Sequence, residues 1–191
     1  DYEVYEIAAT AVAQGDSPYD DPRFLYPPLL PKAMAATFAA IRALATRARL
    51  SGDLDQFAKD MFFYLYTCVQ FALACLAYIF LYRFARALGA GRAEGAILTC
   101  ALIIVNNPLI RTMRHNQVNL WALDSMLAVL LLAGKHPVVA GMALAIGGHI
   151  KIYPYALAVP LALTKRWKVL LATFAVSILL VLVTSDFGRG L

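Results

Sequence analysis

An all-α integral membrane protein with about six transmembrane helices and an extracytoplasmic first loop is the fold class predicted here, at roughly 30 residues per crossing and loop. Three observations predict it. The 191 residues are 61% hydrophobic and only 15% charged, with a mean hydropathy of +0.66, whereas the surface of a water-soluble domain needs roughly 25% charged residues. The polar residues are concentrated in residues 1–59, and beyond them long charge-poor runs alternate with short polar connections. The balance of 17 basic against 12 acidic residues, net +5 with a pI near 9.2, places most basic groups between apolar runs, where lipid head groups are the nearest anions. Membrane lipids are thus expected partners and nucleic acid is not.

Residues 1–59 are expected to form an extracytoplasmic loop with juxtamembrane helices. Val4, Ile7, Ala8 and Ala11 recur at helical spacing until Gly15-Asp16-Ser17-Pro18-Tyr19 supplies turn chemistry. The aromatic, proline-stiffened stretch Phe24-Leu25-Tyr26-Pro27-Pro28 follows. From Pro31 to Leu50, Met34, Phe38, Ile41 and Ala45 form one apolar stripe while Lys32, Arg42, Arg47 and Arg49 are basic, the pattern of an amphipathic helix lying in the membrane interface.

The bundle is expected over residues 60–185, with spans near 61–82, 95–110, 118–134, 138–148, 152–164 and 168–184. The first is free of charge and about 33 Å long at 1.5 Å per residue. The others are near or below a comfortable crossing length, which predicts helices that begin in the interfacial layer or are shielded by neighbours. Residues 147–154 either turn back as a hairpin or break one long helix. The hairpin is preferred, since a continuous helix would hold His149 and Lys151 at mid-bilayer. With alternating loops, seven basic residues (Arg83, Arg86, Arg92, Lys135, Lys165, Arg166, Lys168) face four (Arg111, Arg114, Lys151, Arg189), which points the first set to the cytoplasm. Six more basic residues within 1–59 fall on the other side and would reverse that count.

This orientation collects Asp1, Glu3 and Tyr5, then Arg111, Arg114, His115, Asn116, Gln117 and Asn119, then His149, Lys151 and Tyr153, on the extracytoplasmic side. Arg and Lys can bind phosphate at the interface and tyrosines can pack on a sugar, so the set suits an anionic lipid-linked substrate. Anchoring of Arg111 and Arg114 to head groups is an equally good account of those two.

Five short motifs in order, Asp1-Tyr2-Glu3-Val4-Tyr5, Gly15-Asp16-Ser17-Pro18-Tyr19, Tyr26-Pro27-Pro28, Asn116-Gln117-Val118-Asn119 and Lys151-Ile152-Tyr153-Pro154, resemble those of glycosyltransferase family 87. That is a bacterial family of GT-C type whose members are polyprenyl-phosphate-mannose-dependent mannosyltransferases. The resemblance implies a GT-C-like fold in a bacterial inner membrane and a polyprenyl-phosphate sugar as donor substrate. It implies no cofactor and no metal ligand set, with any metal requirement left open. It gives Asp1 the part of general base and Arg111, Arg114, His115 and Lys151 the donor phosphate. Tyr5, Tyr26, Gln117, Asn119, His149 and Tyr153 would meet sugar or acceptor. Asn119 would alternatively cap the helix it begins. Since family members extend further at both ends, the chain reads as an N-terminal partial segment, with a transmembrane helix expected before Asp1.

The alternative reading is a catalytically silent GT-C-like subunit that packs on other membrane protein subunits. A transporter, suggested by Asp124 within an apolar run and by the break near Pro154, lacks an internal repeat. Asp124 is expected to pair with a polar group on a neighbouring helix. Asp20-Asp21, between Pro18 and Pro22, reads as a solvated turn rather than a metal pair, and Glu94 as a helix-start acid.

Overall fold

The computed structural model describes residues 2–105, 107–114 and 117–185, except for the side chains of 107–109 and 113. Every regular element in it is helical: α1 Tyr2–Gln14, α2 Leu29–Arg47, α3 Leu54–Ala87, α4 Arg92–Ile104, α5 Asn107–Arg114, α6 Asn119–Leu132, α7 Pro137–Ile150, a 3₁₀ turn Tyr153–Leu157, α8 Ala158–Leu163 and α9 Trp167–Thr184. Among the described residues three helices, α2, α3 and α9, are long and apolar enough to cross a membrane. The protein is an all-α membrane protein. Its outer faces carry Phe71, Ile97, Leu102, Leu171 and Phe174, all more than half exposed, as suits side chains whose solvent is lipid.

The 34 residues of α3 would measure about 51 Å, well beyond the hydrocarbon thickness of about 30 Å. Its first turns therefore stand clear of the bundle and pack with α1 and α2 into a helical cap. The Asp53 carboxylate starts α3 by accepting from the backbone N–H groups of Asp55 (3.0 Å) and Gln56 (3.1 Å), a cap worth about 1 kcal/mol. The core of this cap is Tyr5, Ala8, Ala9, Phe24, Met34, Phe38, Phe62 and Tyr66, and Val118 and Ile150 join it from the bundle below. The amphipathic stripe on α2 buries Met34, Phe38 and Ala45, while Arg42 on its polar side pairs with Asp55 at 2.9 Å.

Below the cap, α4 packs back along α3, and α6 begins beside Gln70 with Leu120 buried in one cluster with Ala77. The apolar run 95–110 is two helices rather than one. α4 ends at Ile104, and α5 starts anew at Asn107, directly before Pro108, because proline disfavours a helical residue in front of it and cannot donate to the preceding turn. Glu94 accepts from the Gly91 N–H at 2.7 Å and starts α4.

The chain turns back between α7 and α8. Lys151 is extended (φ −143, ψ 137), and the returning segment places Tyr155 against Gly148 and Leu161 in one cluster with Ala140, Leu144 and Val169. α9 then runs parallel to α7, with Ala172 beside Gly141 and Ser177 bonded to Tyr155 near His149. A Cβ on Gly141 would lie 2.6 Å from both the Ala172 methyl and the Val169 carbonyl oxygen. Gly147 and Gly148 sit equally tightly against Ser125 and Tyr155. These contacts explain why the apolar run 138–148 is so rich in glycine: the helices approach at backbone distance. Asp124 is buried in α6, and neither carboxylate oxygen has a hydrogen-bond partner among the described residues. The polar partner expected on a neighbouring helix is not found there.

Candidate functional site

The end of the bundle nearest the cap brings together residues far apart in sequence. α7 stops at Ile150, which is buried in the cap's core, and this fixes the place of the next residue. Lys151 extends from that point with its ammonium 5.3 Å from the centroid of the Tyr26 ring, a cation–π contact of about 0.5–1 kcal/mol or more when desolvated. Tyr26 in turn stacks on Tyr5 (5.5 Å, 13°), and Phe24 meets both rings edge-on at 5.6 and 6.0 Å. The Tyr26-Pro27-Pro28 sequence explains the order of this wall, since two prolines directly after Tyr26 restrict the backbone that carries it.

The same ammonium donates to Asn119 Oδ1 at 2.7 Å. Asn119 Nδ2 donates to Gln117 Oε1 at 2.7 Å and to Thr112 Oγ1 at 3.0 Å. Gln70, buried in the middle of α3, donates from Nε2 to the Gln117 carbonyl at 2.8 Å. α3, α5, α6 and the α7–α8 turn are thus tied at one point. Asn119 is not a cap: the N-cap of α6 is Val118, and the Asn119 amide is taken up by Lys151, Gln117 and Thr112.

Electrostatics at this end follow from burial. The Lys151 ammonium is partly desolvated, which pulls its pKa below the ordinary lysine value. Burial pushes the Tyr5 phenol well up, so it stays protonated and remains a hydrogen-bond donor. Its hydroxyl is buried without a partner among the described residues.

Of the residues selected from the sequence, Tyr5, Tyr26, Gln117, Asn119 and Lys151 converge here. Tyr153, two residues past Lys151, is 44% exposed; partial burial raises its phenol's pKa, and the nearby Tyr26 adds to that. Arg111 and Arg114 are exposed on α5, which is held to this end through Thr112. Asp1 and His115 lie outside the described residues. His149 is held elsewhere. Its Nδ1 is 2.9 Å from the Ala145 carbonyl and 2.6 Å from the Tyr155 hydroxyl, which continues to Ser177 at 2.9 Å, so the ring belongs to the α7–α9 packing. Asp21 lies in a turn where the Arg23 guanidinium donates to its carboxylate, from Nε at 3.0 Å and from Nη2 at 2.7 Å.

Sequence reasoning missed Gln70 and Thr112. Gln70 carries a readable signal, an amide inside the charge-free run 61–82, where an unpaired polar group costs several kcal/mol. A cavity of about 570 Å³ lies between α1, α2 and the start of α3, lined in part by Thr10, Lys32, Arg42, Asp55 and Lys59; it includes none of the residues selected from the sequence.

Helices fit to span a bilayer, with a lysine held among tyrosines and amides at one end, define a membrane protein with a polar cluster where the bundle meets the cap. The family model of glycosyltransferase family 87 matches residues 24–187, which is most of the chain, and the chain belongs to that family. Membership makes it a glycosyltransferase by class. No solved structure matches it.

Proposed function

We propose that this protein transfers a sugar, mannose in the first instance, from a polyprenyl-phosphate donor to an extracytoplasmic acceptor with inversion at the anomeric carbon. The convergence of Lys151 with Tyr26, Tyr5 and Asn119 carries this reading. A lipid phosphate needs a cation at the depth where head group meets hydrocarbon, and a sugar needs aromatic faces and amides beside it. Lys151 meets the phosphate, with Arg111 and Arg114 reaching it from α5 and His115, the next residue in sequence after Arg114, as a further donor. Tyr5, Tyr26 and Tyr153 pack against the sugar.

In the reaction the acceptor oxygen attacks the anomeric carbon and forms the new glycosidic bond. The bond from that carbon to the phosphate oxygen breaks, and its electron pair leaves with the polyprenyl phosphate. The acceptor's proton passes to the Asp1 carboxylate. Lys151 offsets the charge gathering on the leaving phosphate. Residues 1–59 would then be extracytoplasmic, on an enzyme of the bacterial inner membrane.

The test is transfer by the full chain in lipid nanodiscs, with an acceptor extract from bacterial membranes. Mannosyl polyprenyl phosphate should support transfer and a nucleotide-activated mannose should not. Transfer from the nucleotide sugar alone would refute a lipid-phosphate donor.

A further inference from the structure

The Asn119 amide has one acceptor and two N–H donors. Its oxygen receives the Lys151 ammonium, and its nitrogen donates to Gln117 Oε1 and Thr112 Oγ1. An amide committed on both sides cannot rotate without losing these bonds, and a flipped amide would turn its N–H groups against the ammonium. The orientation of the group that holds Lys151 is therefore set by Gln117 and Thr112. Thr112 touches this arrangement twice, because its backbone carbonyl also accepts from the Gln117 N–H at 2.9 Å. The side chain is buried, 2% exposed, on the one helix that also carries Arg111 and Arg114.

We propose that Thr112 is a positioning residue: its hydroxyl, through Asn119, fixes the Lys151 ammonium where it meets the phosphate. This rests on the reading of Lys151 as a donor-phosphate ligand. Without the hydroxyl, one Asn119 N–H loses its acceptor, and only the bond to Gln117 Oε1 still holds the amide nitrogen in place. The ammonium then samples positions away from the phosphate, and binding weakens while the helices remain packed.

The experiment measures the dissociation constant of polyprenyl monophosphate for the full chain in nanodiscs, together with thermal unfolding. Thr112→Val should raise the dissociation constant about fivefold to tenfold, the worth of one lost buried hydrogen bond. Thr112→Ser should restore it. In a Lys151→Met background Thr112→Val should add nothing, which a merely structural role would not produce. An equal loss in both backgrounds, or no loss beside a weakened Lys151→Met, would overturn the positioning role and leave the donor-phosphate reading standing. Unchanged affinity in Lys151→Met would overturn that reading, and the positioning role with it. Should Thr112→Val fail to fold, Thr112→Ala, which adds no bulk, carries the same comparison.

Discussion

Asp1→Asn is expected to lower the rate of transfer by a factor of about 10² to 10⁴, the usual worth of a general base, while donor affinity stays unchanged. Asparagine keeps the size and polarity of the side chain but cannot take up the acceptor's proton. The substitution therefore removes one step without removing the binding of either substrate. The next residue, Tyr2, is packed against Phe63 and Tyr66 at 5.3 and 5.5 Å, which anchors the start of α1 on the upper turns of α3. Rate and affinity are read separately, by initial rates at saturating donor and by direct binding of mannosyl polyprenyl phosphate. Transfer at the wild-type rate would remove Asp1 from the mechanism.

Lys151→Met is expected to weaken binding of polyprenyl phosphate by about 10- to 150-fold, the range for losing a charge-assisted hydrogen bond. Methionine preserves the apolar stem beside Tyr26, so the loss reports the charge. A second signature lies in the pH dependence. The pKa of Lys151 is lowered by burial, so the protonated form in the free protein is lost as pH rises, at lower pH than for an exposed lysine. Donor affinity in the wild type should therefore fall on the alkaline side, ahead of ordinary lysine titration, and remain high below it. The methionine variant should show no such limb, since arginines do not titrate there. An alkaline limb that survives the substitution would assign the titration to another group.

The course of the chain through the bundle was legible where a single force dominates. Charge-free length marked α3 and α9, and the stripe of Met34, Phe38 and Ala45 marked the buried side of α2. The split of residues 95–110 was written in Asn106-Asn107-Pro108, but average hydropathy outweighs one proline when a run is scanned for length. In the site, the ordered motifs that resemble those of glycosyltransferase family 87 drew attention to Tyr5, Tyr26, Lys151 and Asn119. His149 stands apart from Lys151 for a physical reason. It lies two positions before Lys151, yet α7 continues through Ile150, so the histidine is part of the helix and the lysine part of the turn. Gln70 and Thr112 stayed hidden because their partners are 47 and 7 residues away, and such pairings exist only after the helices have packed.

The most direct measurement of the central claim is photolabelling of the full chain in nanodiscs with a polyprenyl phosphate carrying a photoreactive group beside its phosphate, followed by peptide mapping. The account predicts label on the Tyr26 loop, on the turn at Lys151 to Tyr153 and on α5, lost on competition with unlabelled polyprenyl phosphate and reduced in Lys151→Met. Competable label confined to the outer faces of α3 and α9 or to the cavity between α1 and α2, with those three segments unmarked, would contradict it.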